Sequence, residues 1–391
     1  MKKTKVKGIG LFLAAAVFLM ACGAKTEVSK VNKESTSQRT EVQTGTSGSG
    51  DRVSQLESNT ADIKEEWTFT DQADNEVTVM IPVERAVVMQ HHSLDILAQL
   101  GAQDKVVATE KNWNKNLGDY MKDVFPGVEK LPIPGDLKEW NVEEIAALKP
   151  DVVIAASQAD PETIKQIKEL GIPVVVVSLR GEGKQEEAQN PRLSDADKAY
   201  TQGCEWAVKT LGKLTGTDEK AERIWEFCQE SREIVERAVG DIPQDQRVRV
   251  FVANEGSQTY GNDKYVGAQL LRAGAVNVAA EEIQGYKEYT FEKLAEWNPD
   301  VIIVQDRYKD VYDTILSDPK YQELKAVQDG QVLLAPYWTK PWGNPDTDSI
   351  ALGELWLASQ FYPEKISSET VAERAKEFYR EFYEVDLKDS L

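Results

Sequence analysis

The sequence predicts an α/β protein of two lobes, each a mainly parallel sheet flanked by helices, joined by a long interlobe helix. Three observations carry this. First, the chain holds one unit twice: "NVEEIAALKPDVVIA" (141–155) and "TFEKLAEWNPDVIIV" (290–304) agree at six of fifteen positions, the Pro-Asp included. Each copy reads as a helix halted before proline, then a β-branched run without polar alternation, as expected of a parallel strand buried on both faces. Second, eight such runs occur, four per half: "RAVVM", "KVVAT", "DVVIAA" and "IPVVVVSL", then "VRVFVA", "VNVAA", "DVIIVQ" and "QVLLAP". Third, helical patterns alternate with them, which is the order of an α/β unit.

The elements follow in order. Residues 1–21 read as an export signal, with Lys2, Lys3, Lys5 and Lys7 ahead of the apolar run "GIGLFLAAAVFLMA". The run ends in "LMAC", which resembles the lipobox of bacterial lipoproteins, and in that family the cysteine, here Cys22, is acylated and becomes the new N-terminus. Residues 22–64 are polar and rich in Ser, Thr, Gly and charge, a composition that buries no core and reads as a disordered tether. By flexible-chain scaling such a tether reaches roughly 35 Å. Residues 65–195 form the N-terminal lobe. Residues 196–242 are the helical connection, broken only at "GKLTGTDE". Residues 243–391 form the C-terminal lobe with a closing amphipathic helix. A fainter echo pairs "LDILAQLGAQDKVV" with "AQLLRAGAVNVAA", each a helix ending at a glycine able to cap it.

The formal charge of −20, four units more negative once the signal is removed, argues against nucleic acid or anionic lipid as a partner. Three cysteines make no disulfide framework. Cys204 and Cys228 lie equally far from Gly216, the expected turn of a helical hairpin, so a bridge and two buried thiols are both open. Catalytic signatures of the HExxH, GxSxG and Walker types are missing, and two histidines leave little room for acid–base work. No enzyme and no cofactor is predicted. The rival reading is an extracytoplasmic sensor or enzyme on the same bilobal body.

Ligands of open α/β sheets sit beyond the carboxyl ends of the strands. Those ends carry "QHHS" (90–93), "EKNWN" (110–114), Arg180, "NEGSQTY" (254–260), "GYKEY" (285–289), "DRY" (306–308) and "YWTKPWGN" (337–344). The ligand-contact candidates are therefore His91, His92, Trp113, Arg180, Tyr260, Tyr286, Tyr289, Arg307, Tyr308, Tyr337, Trp338, Lys340 and Trp342. Tryptophan and tyrosine supply broad apolar area with a polar tip, suited to a flat or organic-coated ligand. The cations would neutralise a carboxylate or a chelate's charge. His91 and His92 are open to three roles: metal ligand, hydrogen-bond partner of the ligand, or helix cap.

The chain resembles the ABC-transporter solute-binding proteins with a rigid interlobe helix, which carry ferric siderophores, haem or cobalamin. The resemblance spans about 67–363 and rests on "WTFTDQADNEVTVMIPVERAVVM", "NVEEIAALKPDVVIA" and "LGELWLASQFYP". It implies capture of a metal chelate, a ferric siderophore first, and delivery to an importer permease and its ATPase from a lipid anchor on the extracytoplasmic face. Haem, cobalamin or a molybdate- or tungstate-type oxyanion is the alternative cargo. It also implies one glutamate per lobe docking on the permease: Glu162 and Glu292, with Glu143, the repeat partner of Glu292, as the N-lobe alternative.

Overall fold

The computed structural model describes residues 64–183 and 190–388. The expected signal, Cys22 and all of the tether but Lys64 lie outside them. A hairpin opens the body, with β1 (Glu65–Thr70) antiparallel to β2 (Glu76–Ile81). Its turn is set by Asp71, whose carboxylate accepts from the Ala73 and Asn75 amides. The same carboxylate takes the Val176 amide at 3.0 Å, docking the hairpin onto the first sheet.

That sheet holds β3 (Ala86–Met89), β4 (Val106–Thr109), β5 (Val152–Ala156) and β6 (Val174–Val177), all parallel, in the order β4-β3-β5-β6. In the C-lobe, β7 (Val248–Ala253) is followed by β8 (Gln258–Tyr260), β9 (Ala275–Asn277), β10 (Tyr286–Glu288), β11 (Val301–Val304) and β12 (Val332–Leu334). Its main sheet runs β12-β11-β7-β9, all parallel, while β8 and β10 pair in an antiparallel ribbon. Taken strand for strand, the two sheets have the same winding. All eight expected runs are strands.

The repeated unit is built alike in both lobes. Asn141 and Thr290 cap the helices Val142–Ala147 and Phe291–Trp297, each accepting the amide three residues on. Both helices stop at a residue of positive φ before proline, Lys149 at 48° and Asn298 at 40°, because the proline ring disfavours αR at the position ahead of it. Asp151 and Asp300 then accept the amides of Arg85 and Arg249 at 3.2 and 3.0 Å. Those arginines in turn donate to the last carbonyls of the two helices, Leu148 in one lobe, Trp297 and Asn298 in the other. Gly101 and Gly274 both have positive φ after their helices, as the fainter echo predicts.

Both faces of each sheet are buried. Ala86, Val88, Val152, Ile154, Val250, Val252, Val301 and Ile303 belong to one core that runs through both lobes. Their alternating neighbours face separate outer cores, Val87, Met89 and Val153 in the N-lobe and Phe251, Ile302 and Val304 in the C-lobe.

The connection is a hairpin of two helices, Ala196–Thr215 and Asp218–Val239, turned at Gly216 with φ 75°. The first packs on the N-lobe helix His91–Gln99 and the C-lobe helix Tyr265–Arg272. The second packs on the helical turn Ser349–Gly353 and the helix Glu354–Phe361, where Arg232 grips Glu354 at 2.7 Å in a buried ion pair. The last long helix, Ser368–Phe378, continues through a wider turn, Tyr379–Tyr383, that reaches back to the N-lobe. Cys204 and Cys228 are free, buried thiols rather than a bridge. Burial pushes both thiols up, so they stay protonated. Among the described residues no helix is long and apolar enough to cross a membrane.

Candidate functional site

The cleft between the lobes holds a cavity of about 190 Å³ lined by fourteen of the described residues, among them Gln90, His91, His92, Asn116, Ala156 and Gln158 of the N-lobe. Tyr260, Lys264, Tyr286, Arg307, Trp342 and Asn344 line it from the C-lobe. It lies beyond the carboxyl ends of β3 and β5, where the first sheet reverses its winding direction.

His91 and His92 open the helix His91–Gln99, and Gln90 is its N-cap. No side chain caps that helix end. Its amide groups and the positive end of its dipole thus meet the cavity, an arrangement that favours an anion. Gln90 instead spends its amide on the Val177 carbonyl, at 2.9 Å, and accepts from Ser93 at 2.6 Å. Both imidazoles have a carboxylate behind them. His91 Nδ1 lies 3.4 Å from Glu110, and His92 Nδ1 lies 3.5 Å from Asp346. The rings sit 4.4 Å apart. Burial, the neighbouring His91 and the Lys340 and Arg307 cations hold His92 well below the usual imidazole range against the opposing pull of Asp95, so it is neutral at pH 7.

From the other lobe, Arg307 donates to Gln305 at 2.7 Å and across the cleft to the Asn116 carbonyl at 3.5 Å. Its guanidinium stacks over the Trp342 ring at 4.6 Å, a cation–π contact that fixes the fork. Trp342 is buried and its indole N–H has no protein partner, which costs on the order of 1–3 kcal/mol for a buried donor. Lys264 is nearly buried, and desolvation together with Arg180 pulls its amine down to about 8, with Asp263 partly opposing. Tyr260 and Tyr286 pair across the ribbon, rings 4.7 Å apart. Burial raises both phenols, which remain neutral hydroxyls able to donate. Among the described residues no carboxylate lines the cavity.

Six of the thirteen expected ligand contacts meet there: His91, His92, Tyr260, Tyr286, Arg307 and Trp342. The other seven lie elsewhere. Trp113 and Trp338 are core residues. Tyr289 stands edge-on to Phe251 at 4.8 Å, in the outer core of the C-lobe. Tyr308 packs against the same outer core, with Arg307 over its ring. Tyr337 stacks on Tyr120 at 4.6 Å. Arg180 is buried behind Lys264, outside the lining.

Lys340 is fully buried and ion-paired to Asp95, to Asp346 at 3.2 Å and to Asp348 at 2.7 Å. Those three carboxylates are the only group of metal-ligand type among the described residues, and the ammonium already stands where a cation would. The histidine pair therefore gains no third ligand of that kind at the cavity. Sequence reasoning missed Gln90, Asn116, Gln158, Lys264 and Asn344, neutral amides and one lysine without a periodic signal. Gln90 and Asn344 were within reach, since both lie in the strand-end stretches "QHHS" and "YWTKPWGN". Glu162, Glu292 and Glu143 are exposed, each in the first turn of a helix.

Residues 87–337 match the sequence profile of the periplasmic binding protein family. The chain is 39% identical over 321 residues to the molybdate-binding protein MolA of Haemophilus influenzae, covering 82% of this chain and 92% of MolA. The solved structure of MolA bound to molybdate superposes with a TM-score of 0.79 and is covered to 99%. The Fe(3+)-citrate-binding protein YfmC of Bacillus subtilis is 24% identical over 284 residues, 71% of this chain and 82% of its own. A periplasmic solute-binding protein from Veillonella parvula shares the fold at a TM-score of 0.67 and 23% identity, over 83% of this chain and 95% of its own. With that profile matched over most of the bilobal body and a relative at 39% identity, this chain belongs to the periplasmic binding protein family.

Proposed function

We propose that the protein is an extracytoplasmic, lipid-anchored solute receptor of an ABC importer and that its cargo is a small tetrahedral oxyanion of the molybdate or tungstate class. One observation carries the choice of cargo. The cleft cavity gathers Arg307, Lys264 and Trp342 beside an uncapped helix end, and among the described residues no carboxylate lines it. Such a set stabilises negative charge and offers a metal cation only uncharged amide, hydroxyl and imidazole donors, with no described carboxylate to balance it. The volume argues in the same direction. At about 190 Å³ the cavity falls below the roughly 300–1,000 Å³ of pockets that enclose drug-sized ligands, which favours a small ion over a ferric siderophore, haem or cobalamin.

The sequence favours a ferric siderophore, and only distant relatives support that cargo. The relative at 39% identity is a molybdate-binding protein, which supports the oxyanion instead. The role is binding without catalysis. Glu162 and Glu292 register the loaded protein on the permease, and ATP is hydrolysed by partner subunits.

The test is a calorimetric titration of the protein with molybdate, tungstate, sulfate, phosphate, ferric citrate and haemin. Saturable one-to-one binding of molybdate and tungstate is expected, with no heat from haemin or the iron chelate. Arg307→Ala should weaken the oxyanion about 10- to 100-fold, the range for one charge-assisted hydrogen bond. Tight binding of ferric citrate with no response to molybdate would return the protein to the iron carriers.

A further inference from the structure

Behind the cavity lies a buried polar seam that the binding chemistry does not use directly. Asp95 sits on the N-lobe helix His91–Gln99, one turn after the histidine pair, and is wholly buried. It accepts from the hydroxyls of Tyr120 at 3.0 Å and Tyr383 at 2.8 Å, and it pairs with Lys340. Lys340 comes from the C-lobe loop after β12, the same loop that carries Trp342, Gly343 and Asn344 to the cavity. Its ammonium also holds Asp346 and Asp348, and Asp346 stands 3.5 Å behind His92. A second bridge runs parallel to the first, where the Thr347 hydroxyl donates to Gln99. Gln99 donates in turn to Tyr383 at 2.9 Å.

We propose that Lys340 is a positioning residue: its ammonium, shared between Asp95 of one lobe and Asp346 and Asp348 of the other, sets the lobes at their ligand-ready separation before any ligand arrives. The energetics support a lock rather than a loose contact. All four groups are fully buried, and parting the ammonium from its carboxylates would leave buried charge without a partner. Burial alone would pull the Lys340 amine down, yet Asp346, Asp348 and Asp95 outweigh it and hold the amine well above the ordinary lysine value. The Lys340 backbone is also held at φ 40°, in the left-handed region that lysine rarely adopts. Such a conformation persists only where the surroundings over-determine it.

The consequence is a pre-formed site. Asp95 fixes the helix whose first residues are His91 and His92, and Lys340 fixes the loop that bears Trp342. Ligand binding then needs no large closure, and the affinity carries no cost for bringing the lobes together. This rests on the cleft being the ligand site, but the seam itself is testable without ligand.

The experiment places nitroxide labels on the exposed helix positions Gln166 and Thr314, each changed to cysteine, and reads the interlobe distance by pulsed electron resonance with and without molybdate. The native cysteines at 204 and 228 are buried and stay unlabelled, and Cys22 is changed to serine. The unaltered seam should give one narrow distance that molybdate leaves in place. Lys340→Met, and the milder Asp95→Asn/Thr347→Val pair that keeps an oxygen for the two tyrosines, should broaden the distribution, let molybdate narrow it again and weaken binding at least tenfold. A distance that shifts with molybdate in the unaltered seam would overturn the proposal. So would variants that lose thermal stability while keeping both the narrow distance and the affinity, the mark of a merely structural cluster. A single narrow distance in a protein that binds no molybdate would uphold the seam and sink the oxyanion reading instead.

Discussion

Lys264 is charged at neutral pH yet close to losing its proton, because burial and the nearby Arg180 set its amine at about 8 against an ordinary lysine value of 10.5. An anion bound beside it favours the charged form and raises that value. Affinity should therefore be full below about pH 8 and fall as pH climbs from there toward the bound-state value. A titration series from about pH 7 to about pH 9.5 should show this decline, and Lys264→Met should bind more weakly with a flat profile over the same window. An unchanged affinity across the series would remove Lys264 from the ligand's surroundings. At this scale the sequence was half legible. The histidine pair stood out because no other histidine occurs in the chain. The aromatics misled because a strand end does not say which way a ring turns. Within "YWTKPW", both tryptophans pack in the core, but only Trp342 also lines the cavity. Lys340 looked like an anion contact, and its buried carboxylate partners come from as far away as Asp95, which no local pattern reveals.

The repeated helix-strand unit is where sequence and structure agree most closely, since its signals are local: a capping residue, a proline that stops the helix, and a β-branched run. Asn141 accepts the Glu144 amide at 3.1 Å, and Thr290 accepts the Lys293 amide at 3.3 Å. Replacing either with alanine should cost about 1 kcal/mol of unfolding free energy. The two losses should add, because the sites lie in different lobes with no shared partner. Urea denaturation of the two single variants and the double variant checks both statements, and a double variant no weaker than either single one would contradict them. The interlobe connection was legible as helix and as a turn at Gly216. Gly203 was not. Its missing side chain lets this helix pass against the Arg180 backbone, where an added Cβ would come within 2.0 Å. That is a long-range contact between a helix and a strand end, invisible to periodicity.

Across the whole molecule, one core runs through both lobes and the connecting helices. Together with the seam, that favours a body that presents a fixed outer face to its transporter. Glu162, its side chain 69% exposed, and Glu292, also exposed, sit in the first turns of helices on separate lobes. Changing both to alanine should abolish molybdate uptake by cells while leaving the affinity of the purified protein unchanged; uptake at the normal rate would sink the docking assignment and turn attention to Glu143. The cargo itself is tested most directly by diffraction from crystals grown with molybdate, with anomalous data collected at the molybdenum edge. One strong peak is expected in the cleft cavity, within hydrogen-bonding reach of the Arg307 guanidinium and the Lys264 amine and beside Trp342. A cavity without a peak at concentrations that saturate binding, or a peak only on the outer surface, would contradict it.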